Sequence, residues 1–114
     1  MSTIIDKQNA EHYFWGNNCD SWVLADTQGL SVKQESMPSG TLESLHFHSN
    51  AQQFFFILRG TATFYVEDSK KIVNEQQGLL ISPKTKHYIA NETNETLDFL
   101  VISQPSTHND RTPV

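Results

Sequence analysis

The chain has 114 residues, 37% of them hydrophobic and twelve aromatic, which is the size and content of one globular domain rather than of a disordered segment. Its formal net charge is −5 at a pI of about 5.4, and its eight Lys and Arg form no stripe that could follow a phosphate backbone, so nucleic acid is not an expected partner. No apolar run approaches the roughly 20 residues of a membrane span, residues 1–12 lack a signal-type start, and the lone Cys19 has neither a disulfide partner nor a basic neighbour to activate it; the expectation is a cytoplasmic protein with no membrane partner and an inert thiol.

Residues 2–12 have room for a short helical turn, but no segment of ten or more residues sustains the helical apolar period. From there turn signals recur every eight to twelve residues: GNN at 16, DTQG at 26, PSG at 38, HSN at 48, EDS at 67, NEQQG at 74, PKTK at 83 and NETNET at 91. That rhythm belongs to an all-β sandwich or barrel. Between the turns lie runs of β-branched and aromatic residues of strand length: Trp22 to Leu24, Leu30 to Lys33, Phe54 to Leu58, Thr61 to Val66, Leu79 to Ile81, His87 to Ala90 and Leu97 to Ile102. The two glycosylation sequons within NETNET read as a polar turn, and the polar ending QPSTHNDRTPV looks detachable.

In a strand, residues two apart share a face, so His46 and His48 project together while Phe47 points the other way. Downstream, Gln53, Phe55 and Ile57 share one face and Phe54, Phe56 and Leu58 the other. Both faces of that strand are apolar. One can fill a barrel interior; the other needs a second sheet or a second subunit, and the expected cover is a homodimer, with Tyr13, Phe14 and Trp15 able to cross to the partner or to fold back on their own barrel.

These residues resemble the cupins, whose first motif is Gly, five residues, His-x-His, three or four residues, Glu, six residues, Gly. Here Gly40 is followed by TLESL, His46-Phe47-His48, four residues, Gln53, six residues and Gly60, so that only the Glu is replaced. The second motif is matched loosely by GLLISPKTKHYIAN: His87 and Asn91 keep their spacing, Lys84 stands where Gly is usual, and the proline is displaced by one position. HYFWGNNCDSW and SQPSTHNDR are similar to a single-domain branch described as mannose-6-phosphate-isomerase-like. The resemblance implies an all-β jelly-roll barrel (a double-stranded β-helix) with little helix, one domain over 1–114, a barrel over about 20–104, an N-terminal arm 1–19 and a polar tail 105–114.

It further implies one divalent metal ion held by His46, His48 and His87, with Gln53 at the fourth position. Neutral imidazoles suit Zn, Fe, Ni, Mn or Cu and leave positions open for water or substrate. Against this stand buried histidines in a cupin that has lost its metal, and a Gln53 that hydrogen-bonds a neighbour without touching the ion. His12 and His108 fall outside both motifs and are expected in solvent, the aromatics are expected to fill core and interface, and Glu35, Glu43 and Glu67 show no acid and base pairing, so no catalytic residue is nominated. Three functions follow: a metalloenzyme of dioxygenase or isomerase type acting on a small oxygenated or anionic molecule, a non-catalytic cupin that binds a small sugar or acid, or a stable dimer with a vestigial site.

Overall fold

The computed structural model describes residues 3–114. Among these residues there are eleven strands and no helix: β1 (Glu11–Trp15), β2 (Cys19–Asp26), β3 (Ser31–Met37), β4 (His46–Phe47), β5 (Gln52–Arg59), β6 (Ala62–Val66), β7 (Ser69–Val73), β8 (Gly78–Ile81), β9 (His87–Ala90), β10 (Leu97–Gln104) and β11 (Thr112–Pro113). A six-stranded sheet runs β1-β2-β3-β10-β5-β8 and a five-stranded sheet β11-β4-β9-β6-β7, with every neighbouring pair antiparallel. This is the expected jelly roll. Each strand anticipated in the sequence lies within or against one of these elements, and the proposed helical turn near the N-terminus is a single turn closed by the Ala10 N–H on the Asp6 carbonyl, its first residue, Ser2, lying outside the described residues. None of the described residues forms a helix long and apolar enough to cross a membrane.

Alternation decides what each strand contributes. Across the larger sheet, Ser31, Ser103, Gln53 and Ile81 form one inward rung and Lys33, Val101, Phe55 and Leu79 the next. Deeper in, Met37, Leu97, Phe99 and Ile57 meet Phe64 and Ile89 of the smaller sheet in a fully buried plug. The barrel interior is therefore polar at one end and filled by hydrocarbon at the other.

Left-handed backbone marks both motifs. Gly40 and Gly60 have φ of 77° and 91°, and a Cβ at Gly60 would lie 2.8 Å from the Thr96 carbonyl oxygen, so that position requires glycine twice over. Lys84, where the second motif usually carries Gly, has φ of 68°, so the usual glycine answers a conformation this chain keeps without it. Asn91 is buried and serves the turn that follows: its amide donates to the Met37 and Glu95 carbonyls, and its Oδ1 accepts from the Thr93 N–H and hydroxyl.

Two segments depart from expectation, and β1 takes one of the two courses left open for it. Residues 69–73 form a strand although only Ile72 and Val73 are apolar, because they occupy the sheet edge, where one face and one side remain wet. The aromatic β1 pairs with β2 of its own chain, the fold-back arrangement. The tail is not detachable: Thr112 and Pro113 pair with Phe47 and His46, and the Asp110 carboxylate accepts the N–H groups of Ser49, Asn50 and Ala51. Desolvation is the largest single influence on the Asp110 carboxyl and pushes it up, but the three backbone hydrogen bonds together outweigh it and hold the group below the ordinary carboxylate range.

Candidate metal centre

His46 opens β4 and pairs in register with His87 on β9, while His48 follows β4 two residues on, so the three imidazoles converge by strand pairing and side-chain parity. One ring nitrogen from each lies within 4.8 Å of those from the other two. The ring centroids are 4.5 Å apart for His46 and His87, 4.9 Å for His46 and His48, and 5.8 Å for His48 and His87. All three side chains are buried.

Their tautomers are set from behind. His46 Nδ1–H donates to the Ser44 carbonyl at 2.7 Å, His87 Nδ1–H to the Thr85 carbonyl at 2.8 Å, and His48 Nδ1–H to the Asp110 carbonyl. Burial lowers the pKa of all three, that of His46 to about 3, so the rings are neutral at physiological pH and each Nε2 presents an unprotonated lone pair. His48 Nε2 is buried with no hydrogen-bond partner; the Gln53 amide acts on it without completing a bond. An orphaned acceptor of this kind costs folding free energy unless something else takes its lone pair.

Gln53 stands across from this cluster. Its Nε2 donates to the Ser103 hydroxyl at 3.0 Å, and its Oε1 lies 3.2 Å from His87 Nε2. Because His87 already donates from Nδ1, that second approach sets two lone pairs against each other. A cation between them relieves the conflict, as does an amide turned so that its nitrogen faces His87. The donor set, with three neutral nitrogens and one amide oxygen around an unsatisfied buried atom, therefore fits a metal ion.

His46, His48 and Gln53 line one wall of a cavity of about 400 Å³ at the polar end of the barrel, with His87 buried behind them. Its other wall holds Glu35 and Glu43, which show no acid and base pairing in the sequence, and Arg111, which no motif marks. Glu35 projects inward from β3, where the register puts it beside Phe99, and Glu43 precedes β4 with a side chain only 12% exposed. Glu43 Oε1 accepts the Ile89 N–H at 3.2 Å, and burial pushes its carboxyl up to about 8 despite the Arg111 guanidinium 3.8 Å from Oε2. Burial raises Glu35 as well, and the buried Ser21 hydroxyl nearby, which completes no hydrogen bond, only partly opposes it. Parity alone could have found Glu35: once Met37 is counted as core, Ser31, Lys33 and Glu35 must share its face. Nothing in the sequence brings Glu43 or Arg111 to the same place.

The family model described as the cupin domain matches residues 33–103, more than half of the chain. The chain belongs to the cupin family. A curated relative of this cupin, an uncharacterized protein of Methanocaldococcus jannaschii, is 29% identical over 84 residues, covering 74% of the chain and 67% of the relative. Among solved structures, KdgF from a Halomonas species superposes with a TM-score of 0.84 at 12% identity, over 94% of this chain and 98% of that one. A predicted oxalate decarboxylase from Thermotoga maritima gives 0.83 at 16% identity, over 91% and 100%. At such identities the superpositions establish the fold.

His12 and His108 are exposed, as expected, with His12 Nε2 lying 2.7 Å from Asp20. Cys19 is fully buried and its thiol is pushed up chiefly by that burial, so it offers no ready thiolate. Phe55 and Phe64 meet edge to face in the core, with ring centroids 5.0 Å apart.

Proposed function

We propose that this cupin is a metalloenzyme in which His46, His48, His87 and Gln53 hold one divalent ion, Zn, Fe, Ni, Mn or Cu, and which acts on a small oxygenated or anionic molecule by isomerase-type or dioxygenase-type chemistry. The observation that carries the reading is the convergence of three imidazole lone pairs, one of them with no partner, at a cavity that His46 and His48 line and that is large enough for a small ligand. A divalent ion there would act as a Lewis acid toward a bound oxygen, the more strongly because Gln53 brings no negative charge where cupins usually have Glu.

The chain's own residues support the isomerase type of the two. Glu43, with its carboxyl raised to about 8, carries a proton at neutral pH and sits close enough to its ionisation to release it, as a general acid or base requires. Glu35 shares the cavity and contributes repulsion that keeps its neighbour protonated. The hydrocarbon plug below excludes water from the closed end.

Elemental analysis of protein purified without added metal, joined to spectroscopy for an oxygen-sensitive ion, tests the reading. About one equivalent of metal per chain is the expected result, a redox-active ion would favour the dioxygenase branch, and a metal-free protein that takes up none on titration rejects the proposal. A second expected result concerns Gln53→Glu. A carboxylate in the fourth position raises divalent metal affinity by about tenfold or more, because a charged donor replaces a neutral one. Unchanged or weaker affinity in a metal titration would place Gln53 outside the ion's reach.

A further inference from the structure

The Arg111 guanidinium reaches the cavity from the tail. It bears electrostatically on all three histidines and on both buried glutamates. Yet among the described residues it makes no hydrogen bond. Glu43 Oε2 is 3.8 Å away, too far to accept one, and the other oxygen of that carboxyl is engaged by the Ile89 N–H. The neighbouring acid, Asp110, has both its oxygens engaged by the 49–51 turn and forms no ion pair with Arg111 among the described residues. Arg111 is 48% exposed at the side chain, open enough to meet an incoming ligand. A planar fork of N–H donors without an acceptor, at a cavity whose far wall carries metal-type donors, matches a carboxylate in shape and charge.

We propose that Arg111 is the specificity residue of this site and that the cavity takes small carboxylates, with the carboxylate seated on the Arg111 guanidinium and the rest of the molecule directed toward the histidine cluster. This deepens the reading of the cavity as the reactive site and rests on it. Glu43 is the intramolecular competitor: when ionised it draws on the same guanidinium, and when the ligand carboxylate arrives it gives way. Lys33 is not an equivalent receiver, because its ammonium already donates to the Tyr13 hydroxyl at 2.8 Å.

Calorimetric titration of malonate into the full chain, stripped of metal and again loaded with zinc, tests this, with malonamide as the uncharged isostere. Malonate should bind in both states and malonamide at least about tenfold more weakly, as the loss of a charge-assisted pair requires. Arg111→Met should weaken malonate by about tenfold or more, and Arg111→Lys should recover part of that loss, which separates a lost contact from a fold that fails. Glu43→Gln should bind malonate as tightly as wild type or more tightly. Wild-type affinity in Arg111→Met, or equal affinity for malonamide, overturns the proposal. Malonate binding that survives Arg111→Met and disappears in His46→Ala also overturns it while leaving the metal reading standing. Arg111-dependent binding by a chain that takes up no metal supports the carboxylate seat and rejects the metal reading alone.

Discussion

Replacing His46 or His87 with alanine should lower divalent metal affinity by more than about a hundredfold, above the usual cost of disturbing a partner that only supports a ligand. Either change removes one of three converging nitrogens and leaves the other two unable to close a site. Thermal stability in the presence of metal falls with it, since a ligand at a hundredfold excess over its Kd stabilises the folded form by about 2.7 kcal/mol. Metal analysis and melting of wild type and both variants, each with and without chelator, check the result; equal stoichiometry in all three would defeat the assignment. The metal-stripped protein has a pH dependence of its own. His46 is held at about 3 when folded, against about 6.5 when free, so below pH 6.5 the unfolded chain takes up a proton that the folded chain refuses. Stability should therefore fall as the pH drops from about 6.5 toward 3, and His48 and His87, shifted in the same direction, add to the slope.

Phe56→Glu should convert a homodimer into a monomer. The outward face of the larger sheet carries two adjacent rows: Leu80, Phe54, Ile102 and Val32 in one, and Phe56, Leu100, Gln34 and Trp22 in the other. Phe54 is 38% exposed and Leu80 56% exposed, and the rings of Phe54 and Phe56 stack with centroids 6.5 Å apart. A contiguous apolar face of this extent on a small barrel is the kind of surface that a two-fold axis buries twice in one operation. Stable homodimer interfaces commonly exceed about 2,000 Å² in total, or about 1,000 Å² from each chain, a modest share of the 6,821 Å² that this chain exposes. Light scattering at micromolar concentration should give twice the 13.0 kDa of one chain for wild type and a single chain for the variant. A wild type of 13.0 kDa would rule out the dimer, and a dimeric variant would move the interface elsewhere.

Strand parity makes the inner half of the candidate metal site legible in the sequence. His46 and His48, spaced by two, had to share a face, and Gln53, Phe55 and Ile57 had to share another. The same rule applied to Ser31, Lys33, Glu35 and Met37 would have put Glu35 in the cavity, but the expected strand stopped at Lys33 because the polar Gln34, Glu35 and Ser36 beyond it hid the alternation. Glu43 and Arg111 are different in kind. Neither belongs to a periodic strand, and each reaches the site through pairing that links distant parts of the chain, Glu43 through the Ile89 N–H and Arg111 through the attachment of Thr112 and Pro113 to β4. Local pattern carries no signal for such contacts. β7 escaped because an edge strand can be mostly polar, and the tail escaped because its order comes from one carboxylate and two paired residues rather than from hydrophobic burial.

That single carboxylate has a dynamic consequence. The amides of Ser49, Asn50 and Ala51 share Asp110 as their acceptor, the carbonyl of the same residue fixes the tautomer of His48, and the next residue holds the guanidinium at the cavity. All of these contacts run through the same short stretch of tail, so loss of its docking breaks them together. The turn and the tail form one cooperative opening unit, so the three amides should exchange with solvent at a common rate. That rate measures how often His48 loses its orientation and Arg111 leaves the cavity together, and so sets a limit on how long a site assembled in this way can hold a ligand between openings.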